Sequence, residues 1–145
     1  MRADAVVGET RELRLVEGLS RTQIVQYAGA SGDFNPLHHD EMFVRETAGM
    51  PGIFAHGMLT MGMTGRILTD WFGAESILEY GARFAAQVWP GDTLTATATV
   101  DDVRAGADAT ELDLTVTTVN QRSEVVLTGS AKVRLDSDRS GNRWE

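Results

Sequence analysis

The segment Gly57–Phe72, G-M-L-T-M-G-M-T-G-R-I-L-T-D-W-F, most constrains what this chain can fold into. Arg66 and Asp70 are its only charges, so as a helix it is apolar nearly all round and calls for burial on most sides. Gly62 and Gly65 would each cost about 1 kcal/mol relative to alanine inside a helix. The expected compensation is close approach of something bulky, such as a sheet wrapped around the helix or a ligand. Gly73 ends the segment. Residues 77–89, 93–103, 110–120 and 124–135 are then rich in Val, Thr and Leu, and residues 93–100 (T-L-T-A-T-A-T-V) alternate as a half-buried strand does. W-P-G-D at 89–92, R-A-G-A-D at 104–108 and N-Q-R-S at 120–123 read as turns. One long apolar helix followed by an antiparallel meander predicts an α+β domain, with the sheet curling around the helix.

Upstream, residues 9–17 read as a short strand with Leu13 and Leu15 on one face. Ser20 is a candidate N-cap with Gln23 at the capping-box position, and the helix it starts should stop near Gly29 or Gly32. Residues 31–39 form a loop, in which Pro36 biases Asn35 away from helical geometry. A second short helix is expected over residues 40–48. No repeat or linker divides the chain, so residues 1–135 are expected to be one domain and 136–145 a polar, disordered tail.

The length of 145 residues is enough to bury a core without covalent staples. With no cysteine there is neither a disulfide framework nor a thiolate, which fits the cytoplasm. The N-terminus lacks the apolar core of a signal peptide, and no stretch reaches the roughly 18 apolar residues of a spanning helix. A formal net charge of −8 without a basic stripe argues against nucleic acid as a partner. No membrane partner is expected either.

All three histidines, His38, His39 and His56, fall close together, with Asp33, Asn35 and Asp40 in or beside the same window. Histidine titrates nearest neutrality, so such a cluster beside carboxylates is a candidate acid–base site. The Asn35-Pro36 bend can bring Asp33 and His38 to one point, where they could hold a water between them. Spacing alone equally allows Asp33 as a turn residue and His38 as a surface side chain. Gly57, at the start of the apolar helix, offers a first-turn N–H with no intrahelical acceptor, which a ligand oxygen could approach. An ordinary glycine at a helix start is the alternative, and His56 is read as a capping or packing residue.

Metal binding is the main rival, but the H-x-x-x-H spacing of a helical zinc site is missing and adjacent residues such as His38 and His39 tend to diverge. No metal is expected. An EF-hand begun at Asp33 would put His38 where glycine is needed and Val44 where glutamate is needed. The G-x-S-x-G elbow is not met, because Asp33 takes the final glycine position, and there is no Walker-type loop.

Gly32-Asp33-Phe34-Asn35-Pro36-Leu37-His38 resembles the G-D-x-N-P-[LIV]-H signature of the MaoC-like, or hydratase 2, (R)-specific enoyl-CoA hydratases, and every position fits. Residues 27–31 and 54–63 are also similar to catalytic subunits of actinobacterial (3R)-hydroxyacyl-ACP dehydratases. The likeness is strongest over residues 23–89 and looser to 135.

The resemblance implies a hot-dog fold and a hydro-lyase that adds water syn to a trans-2-enoyl thioester, or removes it from the (3R)-hydroxyacyl form. By that resemblance Asp33 and His38 form the catalytic pair, Asn35 supports the loop, and the Gly57 N–H receives the thioester carbonyl as an oxyanion hole. No metal or organic cofactor is implied. The expected partners are an acyl-CoA or acyl-ACP substrate and a second hot-dog subunit, in a homodimer or heterodimer. Two positions depart from the pattern: Val44 stands where Ala or Ser is usual, and Gly65 where some members carry a substrate-facing serine. The rival functions are a non-catalytic subunit shaping the tunnel of a catalytic partner and, ranked last, a thioesterase, which would release free thiol.

Overall fold

The computed structural model describes residues 5–137. Strand β1, Thr10–Val16, leads through Ser20 into helix α1, Arg21–Ser31. The capping box forms as its sequence requires: Gln23 N–H donates to Ser20 Oγ at 3.0 Å, and Ser20 N–H to Gln23 Oε1 at 2.9 Å. Gly32 closes the helix in the left-handed region at φ 76°, which a side chain would resist. A 3-10 turn over Pro36–His38 and the short helix α2, Glu41–Glu46, precede the long helix α3, Gly57–Phe72. The meander follows as β2 Ile77–Phe84, β3 Leu94–Ala105, β4 Ala109–Val119 and β5 Val125–Asp136.

All pairings are antiparallel, and the sheet runs β1-β3-β4-β5-β2. Helix α3 touches both edge strands as well as β3 and β5, so the sheet curls around it. Register shifts between Arg14 and Val16, Ile77 and Glu79, and Val100 and Asp102 supply bulges, which bend strands and increase their twist. In β3, Leu94, Ala96, Ala98 and Val100 all face the core, and the two alanines leave room for the helix. Deep in this interface Thr64 and Thr118 are both fully buried, and their hydroxyls satisfy each other at 2.7 Å. This is the expected hot-dog arrangement.

Three expectations need correction. Helix α3 is not enclosed on all sides in the single chain: Thr60, Thr64, Ile67, Leu68, Trp71 and Phe72 are buried, whereas Met58, Gly62, Arg66, Thr69 and Asp70 form an exposed stripe at helical spacing. The two glycines therefore differ. A Cβ on Gly65 would come within 3.3 Å of Tyr80 Cε1, but one on Gly62 would meet nothing within 4 Å. Tyr80 lies across the helix there and its hydroxyl donates to the Met61 carbonyl at 2.8 Å, with burial pushing its phenol up to about 12. Strand β2 stops at Phe84 rather than Trp89, because the chain peels away so that Val88 O can accept from Ala55 N–H at 2.8 Å. At the other end β5 includes Asp136, paired with Ala109, so the last strand runs one residue beyond the expected boundary. Ser137 follows, its N–H donating to the Asp108 carbonyl at 3.0 Å, and the rest of the expected tail, residues 138–145, lies outside the described residues.

Between β2 and β5 there is no room for a side chain at Gly129, where a Cβ would overlap the Gly81 carbonyl oxygen and lie 3.1 Å from Val116 Cγ2. Backbone cannot swing aside as a flexible side chain can. Gly129→Ala is expected to destabilise the fold by about 1–3 kcal/mol or more, read as a lowered midpoint in urea.

Candidate active site

The loop after α1 is built by its own short side chains. Asp33 N–H donates to Ser31 Oγ at 3.1 Å, and Asn35 N–H to Asp33 Oδ1 at 3.3 Å. Asn35 Oδ1 in turn accepts from Leu37 N–H at 3.1 Å and so caps the 3-10 turn, with Pro36 at its first position. The turn delivers His38 inward, where it is 8 % exposed, while Asp33 stays exposed.

His38 Nδ1 lies 2.6 Å from the Phe54 carbonyl oxygen. A carbonyl only accepts, so Nδ1 carries the proton, and in the neutral ring Nε2 is left as the base. Burial holds the His38 imidazole below its ordinary value of 6.5, as does His56 beside it; the Phe54 bond and the Asp33 carboxylate act the other way.

The structure brings a third residue to this point. A carboxylate oxygen of Asp33 and ring nitrogens of His38 and His56 all lie within 4.8 Å of one another. The two imidazoles are stacked, with centroids 3.8 Å apart and planes inclined by 25°. Lone pairs of nitrogen lie in the ring planes, and planes so disposed meet far beyond the roughly 2 Å reach of a metal–nitrogen bond. One ion would therefore need a ring to rotate before both could bind it.

His39, by contrast, turns away and places Nε2 3.1 Å from the Phe34 carbonyl oxygen, and Asp40 is spent on capping α2 through Phe43 N–H at 3.1 Å. His56 is 2 % exposed and directly precedes α3, yet its side chain makes no capping bond. The sequence offered one signal for it, a histidine immediately before the helix glycine, and that signal does not distinguish a site from a cap.

Gly57 opens α3, and the positive end of the helix dipole falls there. A cleft of about 320 Å³ reaches it, walled by Phe54, Thr60, Phe84, Val88 and Val126. The Phe84 ring packs over the bare Gly57 Cα, 2.8–3.0 Å from where a Cβ would stand. Thr60 and Gln87 are the polar side chains of that wall and the others are apolar, a lining that can take an acyl chain with a polar group at one end. Val44 is fully buried, so this departure from the pattern is a packing change, and Gly65 faces Tyr80.

A family model described as "MaoC like domain" matches residues 2–122. The 3-hydroxyacyl-thioester dehydratase Y of Mycobacterium tuberculosis is 45% identical over 67 residues, which cover 44% of this chain and 23% of that protein. The chain thus spans less than a quarter of that relative's length. The (R)-specific enoyl-CoA hydratase of Aeromonas caviae is 30% identical over 127 residues, covering 86% of this chain and 92% of the relative. The solved structure of an (R)-hydratase from A. caviae superposes with a TM-score of 0.79 at 27% identity, over 92% of this chain and 99% of that one. A chain of the ChsH1-ChsH2 complex from M. tuberculosis gives 0.76 at 28% identity, over 91% and 99%. Fold, loop signature and family match agree: the chain belongs to the MaoC-like domain family.

Proposed function

We propose that the chain is a hydro-lyase that interconverts a trans-2-enoyl thioester and its (3R)-hydroxyacyl form, with Asp33 and His38 as the catalytic pair. The observation that carries this reading is the inward-turned His38, its Nδ1 proton committed to Phe54 O, with the Asp33 carboxylate beside it. A water held between the carboxylate and His38 Nε2 would attack C3. One of its protons stays on the new hydroxyl, the other passes to the pair, and the pair returns a proton to C2 on the same face. Electron density moves onto the thioester oxygen, which the Gly57 N–H at the head of α3 would receive. Asn35 keeps the turn in shape without touching substrate. None of these steps calls for a metal or organic cofactor.

The substrate would be an acyl-CoA or acyl-ACP thioester, its acyl part in the cleft beside Gly57. The likeness to a chain of the ChsH1-ChsH2 complex supports a second reading, in which activity needs a different hot-dog subunit. Among the described residues no helix is long and apolar enough to cross a membrane. The test is loss of crotonyl-CoA absorbance with the purified chain, alone and mixed with candidate partner subunits. Free-thiol release without hydration would replace the reading by a thioesterase.

The lowered imidazole sets the pH dependence. His38 must be neutral to take a proton, and burial favours that form, so acid should impair the enzyme at lower pH than the ordinary imidazole value of 6.5 would dictate. The acidic limb of kcat/KM is expected to have its midpoint under that value. A midpoint at or above it would mean that the titrating base is not the buried His38.

A further inference from the structure

Two contacts of His56 play no part in the mechanism above. Its Nε2 lies 3.1 Å from the backbone carbonyl oxygen of Asp33, and its ring lies face to face with His38. Since a carbonyl only accepts, neutral His56 keeps its proton on Nε2, which leaves Nδ1 bare. That Nδ1 is buried and, among the described residues, has no hydrogen-bond partner. An unpartnered buried acceptor is destabilising, and an apolar side chain of similar size would avoid the cost. Such a side chain would also lose the bond to Asp33. Capping does not explain the residue, because its side chain makes no capping bond to α3. The ring is braced from behind by Tyr27 of α1, edge-on at 4.8 Å.

We propose that His56 is a positioning residue: it ties the Asp33 carbonyl to the start of α3 and bears on the face of the His38 ring, fixing carboxylate, imidazole and the Gly57 N–H in one frame. His56 is joined to Gly57 by a peptide bond, so its two contacts link segments that lie 18 and 23 residues back along the chain. Every group that would define the reacting geometry is then referred to one rigid helix end. A displacement of about 1 Å in such a frame can cost on the order of 10²-fold in rate.

This inference rests on the hydro-lyase reading, and two variants separate its parts. His56→Gln keeps an N–H at the reach of Nε2 but loses the flat ring, whereas His56→Phe keeps a ring but loses the donor. With crotonyl-CoA each is expected to lower kcat at least about tenfold, with KM within about threefold. The titratable groups acting on His38 are His56, Asp33 and, more weakly, the neighbouring His39 that turns away, and Tyr27 stands behind His56. His56→Gln should also move the acidic limb of kcat/KM upward, because water then reaches the His38 ring. A residue that merely packs would lower the melting temperature and leave kcat and the acidic limb of the folded protein unchanged, and that result would overturn the proposal.

If both variants fail to fold, or if the wild type proves inactive and only the hydro-lyase reading falls, long-range nitrogen–proton spectra of the wild-type histidines decide. The expected result is the Nε2–H tautomer of His56, with cross-relaxation between its ring and that of His38. The opposite tautomer, or no contact between the rings, would sink it.

Discussion

Asp33→Asn and His38→Asn are each expected to lower kcat for crotonyl-CoA hydration by about 10²–10⁴-fold, the range general acid–base groups supply, while the fold survives. Both substitutions spare the local structure. Asparagine at 33 retains an oxygen for the Asn35 N–H that Asp33 Oδ1 now accepts, and loses only the charge. Asparagine at 38 has an amide nitrogen near the place of Nδ1, so the bond to Phe54 O can persist while the base at Nε2 is gone. Initial rates together with thermal unfolding check this. Retention of half the wild-type rate by either variant, at unchanged melting temperature, would remove that residue from the reaction.

The second large effect is expected at Gly57. Gly57→Ala keeps the N–H but puts a methyl beside it, and should reduce kcat by about 10²–10³-fold, as much as deleting an oxyanion donor does, by blocking the oxygen's approach, with little change in stability. The new methyl would stand where the Phe84 ring now packs, but that ring is 48% exposed and can swing outward. Alanine is moreover the better helix former, by up to about 1 kcal/mol. The informative comparison is the double variant with Phe84→Ala, which removes the crowding and leaves the methyl beside the N–H. If the double variant recovers the wild-type rate, Gly57 serves only to make room for Phe84.

The loop of Asp33 and His38 was legible because its constraints are local. Gly32 exits a helix, Asn35 caps a turn, and Pro36 starts it, all within a few residues. The alternation of β3 was legible for the same reason, since every second side chain meets the same helix. His56 was not, because what distinguishes it from a helix cap is contact with Asp33 and His38, far back in the chain. Phe84 over Gly57 and Tyr80 over Gly65 belong to that class as well: each depends on β2 returning across α3. The exposed stripe of α3 escaped the pattern because Met58 and Gly62 are apolar in type, and composition alone does not say which side the sheet leaves open. His39 and Asp40 shared the window of the pair, but backbone direction, not proximity in sequence, sent them elsewhere.

The strand order β1-β3-β4-β5-β2 has a consequence for how the molecule is made. On the ribosome, β1 must wait for β3 to emerge, and β2 must wait for β5, so each margin of the sheet closes only after a later strand has been made. Pairings so distant along the chain slow folding, because loop closure precedes any reward. Asp33, His38, His56 and Gly57 precede β2 in the chain and lie near one another in it, yet the cleft wall at Gly57 includes Val88 and Val126. The candidate site residues are therefore made before the strands that complete the wall around them.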